Sequence, residues 1–291
     1  MKRVVLLGGS GQLGKAVTEI VPEDFQLVSP PSEELDLSNA SQIQQFLEKH
    51  NPEAVINCAA YTAVDAAEEN SEQAFAINAQ GIGNLARITP DKTKLIHIST
   101  DFVFSKQSPV PYTSADETAP ISVYGRSKLE GEKLLMANHP ENSVIVRTSW
   151  LYSAVGKNFV LTMLELMETR SSLNVVNDQL GSPTSVYSLA EIIWKFALKE
   201  DASGIFHWSD RGIISWYDFA VEIYEQARAM GLLKQDVIIR PIPSEEYPTP
   251  ARRPEYSALD STETENILGM KTSPWQEELA KVLTRIKETR A

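Results

Sequence analysis

Tyr124 and Lys128 have the residue types and the spacing of an acid–base pair. Residues four apart on a helix share one face, so the phenol and the ammonium of this pair address the same point. A phenol titrates at about pH 10 and is too weak an acid to exchange its proton freely at neutral pH. A cation within a few ångströms favours the phenolate, so we expect Lys128 to lower the pKa of Tyr124. The pair therefore predicts a general acid.

Thr100 is the third residue of this predicted site. It stands at the end of a predicted strand over residues 94–99, is followed by Asp101, and can place its hydroxyl beside the phenol. The alternative is an ordinary surface pair on a helix, because the chain contains nine tyrosines and one Tyr-x-x-x-Lys is expected by chance. The catalytic interpretation depends on the sequence that precedes the pair.

A glycine-rich turn near the start of the chain favours a dinucleotide site. Residues 4–7 are a short aliphatic run that predicts a buried parallel strand. The run is followed by Gly8, by the segment Gly11-Gln12-Leu13-Gly14 and by a predicted helix over residues 12–21. Glycines permit a tight turn with close backbone approach, and the helix N-terminus receives a pyrophosphate. The spacing is Gly-x-x-Gly-x-x-Gly, and a plain strand-to-helix turn is the alternative.

The residues at the end of the second predicted strand, over residues 25–28, discriminate little between NADP and NAD. It ends at Ser29, without the Asp or Glu that would hold the ribose 2′-hydroxyl of NAD. Ser29 tolerates a 2′-phosphate, yet no Arg stands beside it, so we expect NADPH or NADH with a weak lean to NADPH. Asp36 is either an adenine contact or a charge near the start of the next helix, which we expect Ser38 to cap.

The remaining elements of the first half continue this alternation of strands and helices. Further strands are predicted over residues 54–57, 94–99 and 143–148, and further helices over 38–49, 71–88 and the Tyr124 segment, with a loop over 105–120. The pattern predicts an α/β fold with a Rossmann-type doubly wound parallel sheet. Ala59, Thr100 and Trp150 then fall at the carboxyl ends of strands, where such sheets bind ligands.

After residue 150 the pattern changes, and we expect a smaller C-terminal substrate-binding lobe. Its predicted helices cover residues 158–169, 186–199, 216–230 and 275–289, and its predicted strands cover 173–176, 204–207 and 237–242. The proline-rich stretch 241–254 excludes a regular central strand there. We assign residues 1–150 to an NAD(P)-binding domain and residues 151–184 and 208–291 to the lobe, with 185–207 as a candidate return to the large sheet.

Composition narrows the class of partner. The net charge of −12 argues against nucleic acid or a membrane surface as partner but leaves room for a small anionic ligand held by local cations. No stretch is long enough to span a membrane, and a single cysteine, Cys58, is typical of a reducing compartment, so we expect a cytoplasmic protein. The four histidines lack metal-ligand spacing, so no metal is expected, and His97 is interpreted as a packed core residue. A homodimer is one open possibility.

Several segments resemble a known family. The glycine motif and Tyr-x-x-x-Lys resemble the extended short-chain dehydrogenase/reductase superfamily, and over essentially its full length the chain is similar to the dTDP-4-dehydrorhamnose reductase family. The more specific motifs contain Trp150, Asp178-Gln179 and Arg253-Pro254. Two departures, Ser105-Lys106 in place of the usual Asp-Gly and Tyr256 in place of a common Asn, put loop contacts in doubt more than chemistry.

The resemblance implies reduction of the C4 keto group of dTDP-4-dehydro-L-rhamnose to dTDP-L-rhamnose, with NAD(P)H delivering the hydride. It implies that Tyr124 protonates the carbonyl oxygen, Lys128 holds the nicotinamide ribose and Thr100 tunes the phenol. With the residues discussed above, the predicted cofactor site comprises Gly8, Gly11, Gln12, Leu13, Gly14, Ser29, Asp36, Leu37, Ala59, Ala60, Tyr61, Tyr124 and Lys128. The predicted substrate site comprises Thr100, Asp101, Trp150 and Arg253.

Two other functions use the same fold. An epimerase or dehydratase of nucleotide sugars shares the Tyr and the Lys, but related dehydratases place an Asp-Glu pair after the Thr, whereas here Asp101 is followed by Phe102. A non-catalytic regulatory subunit need not keep the sugar pocket, so Trp150 and the intact Thr100, Tyr124 and Lys128 set favour an enzyme.

Overall fold

The central feature of the fold is a parallel sheet, seen in a computed structural model that describes residues 1–106, 108 and 110–290. In chain order the strands are β1 (Lys2–Leu7), β2 (Phe25–Val28), β3 (Ala54–Asn57), β4 (Lys94–Thr100), β5 (Ser143–Thr148), β6 (Leu151–Tyr152), β7 (Ser172–Val176), β8 (Leu180–Gly181), β9 (Thr184–Ser185), β10 (Gly204–His207), β11 (Ile214–Ser215) and β12 (Ile238–Ile242). Within the described residues, six of them form one sheet in the order β10-β5-β4-β3-β1-β2, with every neighbouring pair parallel. The predicted Rossmann-type sheet is confirmed.

Burial on both faces explains why the central strands read as continuous apolar runs. All seven residues of β4 are buried, as expected of a parallel strand covered by helices on both sides. The chain pairs β1 first with β2 and then, on the opposite side, with β3. This reversal makes the carboxyl ends of β1 and β3 the switch point at which sheets of this kind bind ligands.

The helices are α1 (Gln12–Glu19), α2 (Ala40–His50), α3 (Val64–Glu69), α4 (Ser71–Phe75), α5 (Gly81–Ile88), α6 (Val123–Asn138), α7 (Phe159–Thr169), α8 (Val186–Leu198), α9 (Trp216–Ala229), α10 (Thr262–Leu268) and α11 (Trp275–Arg290). None in the described part of the chain is long and apolar enough to cross a membrane. The predicted cap of α2 is wrong, because the Asn39 side chain accepts the first amide hydrogen bonds while Ser38 Oγ donates to Asp36.

The long helix predicted over residues 71–88 contains a wider turn. A π-helical segment, Ala76–Gln80, joins α4 to α5. It lies against α6 so closely that a Cβ on Gly131 would be 2.1 Å from Asn78 O. Only glycine allows this approach, which fixes the helix that carries Tyr124 against the one that carries Asn78.

The second half has a core of its own, built mainly from α7, α9 and α11 around buried residues such as Phe219 and Leu279. β7 pairs in parallel with β12, which accommodates Pro241 as an edge strand does. β10 leaves this half and pairs with β5 of the large sheet. The sequence did not predict the two-residue strands or α10. The described residues of the predicted loop 105–120 form no helix, and Gln107 and Pro109 lie outside the described residues.

Candidate active site

In the glycine turn after β1, neither Gly8 nor Gly14 has room for a side chain. Gly8 has a φ of +76°, and a Cβ there would lie 2.6 Å from Ala59 N, just after β3. A Cβ on Gly14 would lie 2.2 Å from Gly8 O, and Gly11 N donates a 3.1 Å hydrogen bond to the same oxygen. Bare backbone therefore surrounds the start of α1. These residues fit a dinucleotide, whose pyrophosphate needs such a cradle at a helix N-terminus.

Ser29 and Asp36 lie near this turn in different roles. A Cβ on Gly9 would lie 2.0 Å from Ser29 Oγ, so Ser29 closes one side of the turn. The Asp36 carboxylate accepts hydrogen bonds from Ser38 N and Oγ, each 2.8 Å, and these hold its pKa below its ordinary value. Asp36 orders the loop before α2, and Leu37 is buried in the core. An adenine contact by this pair stays a prediction.

Gln12 links the glycine turn to the second half of the chain. Its Oε1 accepts hydrogen bonds from Ser153 Oγ at 3.2 Å and from Asn158 Nδ2 at 3.3 Å. Asn158 also caps α7 by accepting from Leu161 N. Leu13 is buried beneath the turn in the core of the sheet. A ligand held at the turn therefore lies close to the junction of the two halves.

The segment after β3 is held by a residue that sequence reasoning missed. Ala59, Ala60 and Tyr61 follow β3, and the Asn78 side chain clamps the backbone of Tyr61, accepting from its N at 2.8 Å and donating to its O at 3.0 Å. Asn78 Nδ2 also donates to Ser127 Oγ of α6 at 3.0 Å. Asn78 thus connects the predicted cofactor segment with the helix of Tyr124 and Lys128. Its position in a π turn left no signal in the sequence.

Tyr124 and Thr100 meet at the carboxyl end of β4. Ser122 caps α6 by accepting from Gly125 N, and this places Tyr124 in the first turn. Burial raises the pKa of Tyr124 to about 12, the hydrogen bond with Thr100 opposes this rise, and the Asp101 carboxylate adds to it. The prediction of a lowered phenol pKa is therefore wrong for this structure, because burial outweighs the Thr100 hydrogen bond.

Asp101 contacts a second residue that the sequence did not single out. Ser257 Oγ donates to Asp101 Oδ2 at 2.6 Å, and Thr100 Oγ1 donates to Asp101 Oδ1 at 3.1 Å. Burial nevertheless raises the pKa of Asp101 to about 6. A carboxyl group that changes charge near pH 6 thus lies beside the phenol, and the second half supplies one of its partners.

Trp150 follows β5 in a left-handed backbone conformation, with a φ of +46°. Its ring stacks on Trp216, with centroids 3.6 Å apart and planes 10° from parallel. A Cβ on Gly181 would lie 2.8 Å from the Trp150 indole, so glycine makes room for the ring. The rings of Trp150 and Trp216 form one rigid aromatic unit. Trp216 was missed, although it opens α9 directly after the capping residue Ser215.

Arg253 lies in the second half and is bound to the first. Its guanidinium donates to both carboxylate oxygens of Asp65, at 3.1 and 2.9 Å, and this holds the pKa of Asp65 below its ordinary value. Arg253 also lines a cavity of about 680 Å³ together with Arg170, Arg240 and Trp216. The structure therefore groups Tyr124, Thr100 and Asp101 at the sheet and connects Trp150, through Trp216, to a cavity lined by three arginines. Among the described residues, no group of three or more His, Cys, Asp and Glu side chains could hold a metal ion.

Comparison with known proteins identifies the family. The family model described as the RmlD substrate binding domain matches residues 1–288. The dTDP-4-dehydrorhamnose reductase of Aggregatibacter actinomycetemcomitans is 35% identical over 290 residues, which cover 97% of this chain and 98% of that protein.

Two solved structures agree with this result. A dTDP-4-dehydrorhamnose reductase from Clostridium acetobutylicum superposes with a TM-score of 0.92 at 39% identity, covering 98% of this chain and 99% of that one. A dTDP-4-dehydrorhamnose reductase from Bacillus anthracis, in complex with NADP, superposes with a TM-score of 0.91 at 38% identity, covering 98% and 100%. The resemblance read from the sequence is confirmed, and the chain belongs to the family of the dTDP-4-dehydrorhamnose reductases.

Proposed function

We propose that this protein reduces the C4 keto group of dTDP-4-dehydro-L-rhamnose with NADPH or NADH and so forms dTDP-L-rhamnose. The observation that carries the proposal is the contact of Tyr124 with Thr100 at the carboxyl end of β4, in the same sheet edge as the glycine turn. A proton donor and a dinucleotide cradle at one edge are what a carbonyl reductase needs.

Residues of the first half would hold the cofactor. The backbone around Gly8, Gly11 and Gly14 would receive the pyrophosphate, Ser29 would face the ribose that carries or lacks the 2′-phosphate, and Lys128 would hold the nicotinamide ribose. The bound cofactor supplies a hydride. The protein has to place the C4 carbonyl between that hydride and the phenol of Tyr124.

Tyr124 would give its proton to the oxygen at C4. Because its pKa is raised to about 12, the phenol stays protonated throughout the neutral range and is ready to donate. The alkoxide that hydride addition creates is a stronger base than a phenolate, so the transfer is downhill. Thr100 would stabilise the phenolate that remains by turning its one hydroxyl hydrogen from Asp101 Oδ1 to the phenolate oxygen.

The arginine-lined cavity would receive the nucleotide part of the substrate. A protein with a net charge of −12 repels a pyrophosphate on average, so local cations must reverse the field. Arg170, Arg240 and Arg253 supply three cations around about 680 Å³, although Arg253 is paired with Asp65 and Glu246 also lines the cavity. Trp216 supplies an aromatic face. A guanidinium engages phosphate oxygens as a fork, which favours Arg over Lys in this place. The second half is accordingly proposed as the substrate-binding lobe.

The alternatives remain separable by experiment. A dehydratase needs a second carboxylate next to Asp101, and Phe102 stands there instead. An epimerase would return its cofactor to the starting redox state after each turnover, whereas a reductase consumes one NADPH per sugar. A regulatory subunit would bind without turnover. We therefore propose measuring NADPH oxidation against a panel of 4-keto nucleotide sugars, with product identified by mass.

Consumption of one NADPH for each dTDP-4-dehydrorhamnose supports the proposal. Turnover with a different 4-keto nucleotide sugar alone would support the reductase chemistry and contradict the proposed substrate. If no sugar of the panel is reduced, the proposal that the protein is a reductase is wrong. We further propose a cytoplasmic location, which cell fractionation tests, and a homodimer, which light scattering tests.

A further inference from the structure

His97 lies in the middle of a buried chain of polar contacts that ends on Lys128. His97 and Lys128 are each 1% exposed, and Asn57 is fully buried. The two ring nitrogens of His97 face different partners, since Nδ1 is 2.9 Å from Asn57 Nδ2 and Nε2 is 3.2 Å from Lys128 Nζ. Both ring nitrogens of this buried histidine therefore have a polar partner, as buried polar groups require. The direction of each hydrogen bond in this chain can be worked out from its far end.

The amide of Asn57 has its orientation fixed by the backbone. Ala59 N donates to Asn57 Oδ1 at 3.1 Å, so that oxygen is the acceptor and Nδ2 must be the group that faces His97. An amide nitrogen only donates, which makes His97 Nδ1 an acceptor without a hydrogen. A neutral imidazole carries its hydrogen on the other nitrogen, so Nε2–H points at Lys128.

The hydrogen on Nε2 determines which protonation state of Lys128 fits beside His97. An ammonium has three hydrogens and no lone pair, so it cannot accept from Nε2–H. A neutral amine can accept that hydrogen and still donate to Ile98 O, which lies 2.6 Å from Nζ. A neutral Lys128 amine can therefore form hydrogen bonds with both His97 and Ile98 O. An ammonium would place one of its hydrogens against Nε2–H of His97 and lose that hydrogen bond.

The charged and titratable groups around Lys128 compensate a positive charge there only in part. Glu132, one turn further along α6, is held by Arg147 of β5 through contacts of 2.7, 3.0 and 3.2 Å, and also accepts from Ser99. Cys58, after β3, is a neutral thiol because burial raises its pKa to about 12. His97, on β4, is neutral because burial lowers its pKa. Burial likewise lowers the pKa of Lys128 to about 8, although Glu132 opposes this. Burial alone would therefore leave mostly ammonium at pH 7, and the contact with Nε2–H of His97 is what shifts the balance further towards the amine.

We propose that His97 is a positioning residue that, through Nε2–H, holds Lys128 as a neutral amine in the cofactor-free protein. Lys128 then acquires its charge only when a bound ligand brings new acceptors to it. The inference concerns the site of the proposed function, but its tests read ionisation and tautomer rather than turnover. A protein that failed to reduce any sugar would leave it standing.

The first test determines the tautomer of His97 in the wild-type protein. Long-range nitrogen–proton correlation spectra of the cofactor-free protein distinguish the two neutral tautomers of each histidine, and His97 is assigned by its absence in His97→Gln. The expected result is a hydrogen on Nε2 and none on Nδ1. A hydrogen on Nδ1, or a doubly protonated ring at neutral pH, would overturn the proposal.

The second test follows Lys128 itself. In protein labelled with carbon-13 lysine, the Lys128 Cε resonance is assigned by its absence in Lys128→Arg and followed against pH. His97→Gln offers a side-chain oxygen that accepts from an ammonium, so the Lys128 midpoint should rise by at least about one pH unit, a tenfold change in the ionisation constant. His139→Gln is the matched control, because His139 is also buried but bonds Thr93 O away from Lys128. Equal Lys128 midpoints in wild type and His97→Gln would refute the role of His97.

Discussion

Asp101→Asn should make the protein more stable at neutral pH. Asp101 is 2% exposed and accepts hydrogen bonds from the hydroxyls of Ser257 and Thr100 and from backbone amides. An asparagine has nearly the same shape, keeps an oxygen for Ser257 and can donate to the Thr100 hydroxyl. The substitution therefore removes a buried negative charge without leaving an empty space.

The magnitude follows from the pKa of Asp101, which burial raises from 3.8 to about 6. A raised pKa in the folded state means that the folded protein binds the proton more tightly, so stability is lost as the pH rises from the unfolded to the folded pKa. The shift corresponds to about 3 kcal/mol once the pH exceeds the folded pKa. At pH 5 the same relation gives about 1.6 kcal/mol. The gain in unfolding free energy from Asp101→Asn should therefore rise from about 1.6 kcal/mol at pH 5 to about 3 kcal/mol at pH 7 and above.

Urea unfolding of both proteins at pH 5, 6, 7 and 8 measures this difference. Asp116→Asn is a useful control of opposite sign, because Asp116 is exposed and hydrogen bonds from Thr113 hold its pKa below the ordinary value. Because the folded and unfolded pKa values of Asp116 both lie below the measured range, that variant should be less stable than wild type by the same amount at every pH from 5 to 8. If Asp101→Asn is less stable than wild type at pH 7, or if its advantage does not change from pH 5 to pH 7, burial does not govern the ionisation of Asp101.

Three further substitutions test the site. Tyr124→Phe should lower kcat in NADPH oxidation by roughly 10²–10⁴-fold with unchanged NADPH affinity, because only the proton donor is lost, and near wild-type kcat would remove Tyr124 from the mechanism. Gly14→Ala should weaken NADPH binding, measured by fluorescence titration, at least about tenfold, because a Cβ would lie 2.2 Å from Gly8 O; unchanged affinity would mean that the turn is not the cradle. Arg253→Lys should lower kcat/KM for dTDP-4-dehydrorhamnose at least about tenfold, some 1.4 kcal/mol, since an ammonium cannot replace the fork, and wild-type kinetics would exclude this role.

Local sequence patterns were enough to predict the sheet and most helices. Residues 4–7 of β1 are a continuous apolar run, and the Ser122 cap and the Gly8 turn have short-range signatures. The predicted cap at Ser38 failed because Asn39 competes for the same role one residue later and its side chain reaches the amides. The π turn that carries Asn78 depends on the packing of α5 against α6, which no local pattern records.

Long-range contacts explain the parts of the site that the sequence left hidden. Ser257 contacts Asp101 although the two residues are 156 positions apart in the sequence. Trp216 stacks on Trp150 because the end of β5 and the start of α9 lie side by side. The wrong direction for the Tyr124 pKa has the same origin. Two residues four apart on a helix predict proximity, but the burial of the phenol and the partners of Lys128 are set by β4 and by the loop after β3.

Transfer of deuterium from cofactor to sugar tests the central claim most directly. NADPH carrying deuterium at the transferable position of the nicotinamide would be incubated with dTDP-4-dehydrorhamnose and the protein, and the product examined by proton NMR and mass spectrometry. The account predicts one deuterium at C4 of dTDP-L-rhamnose for each NADPH oxidised, and loss of this product with Tyr124→Phe. Deuterium at another carbon, or recovery of unreduced keto sugar with NADPH unconsumed, would contradict it.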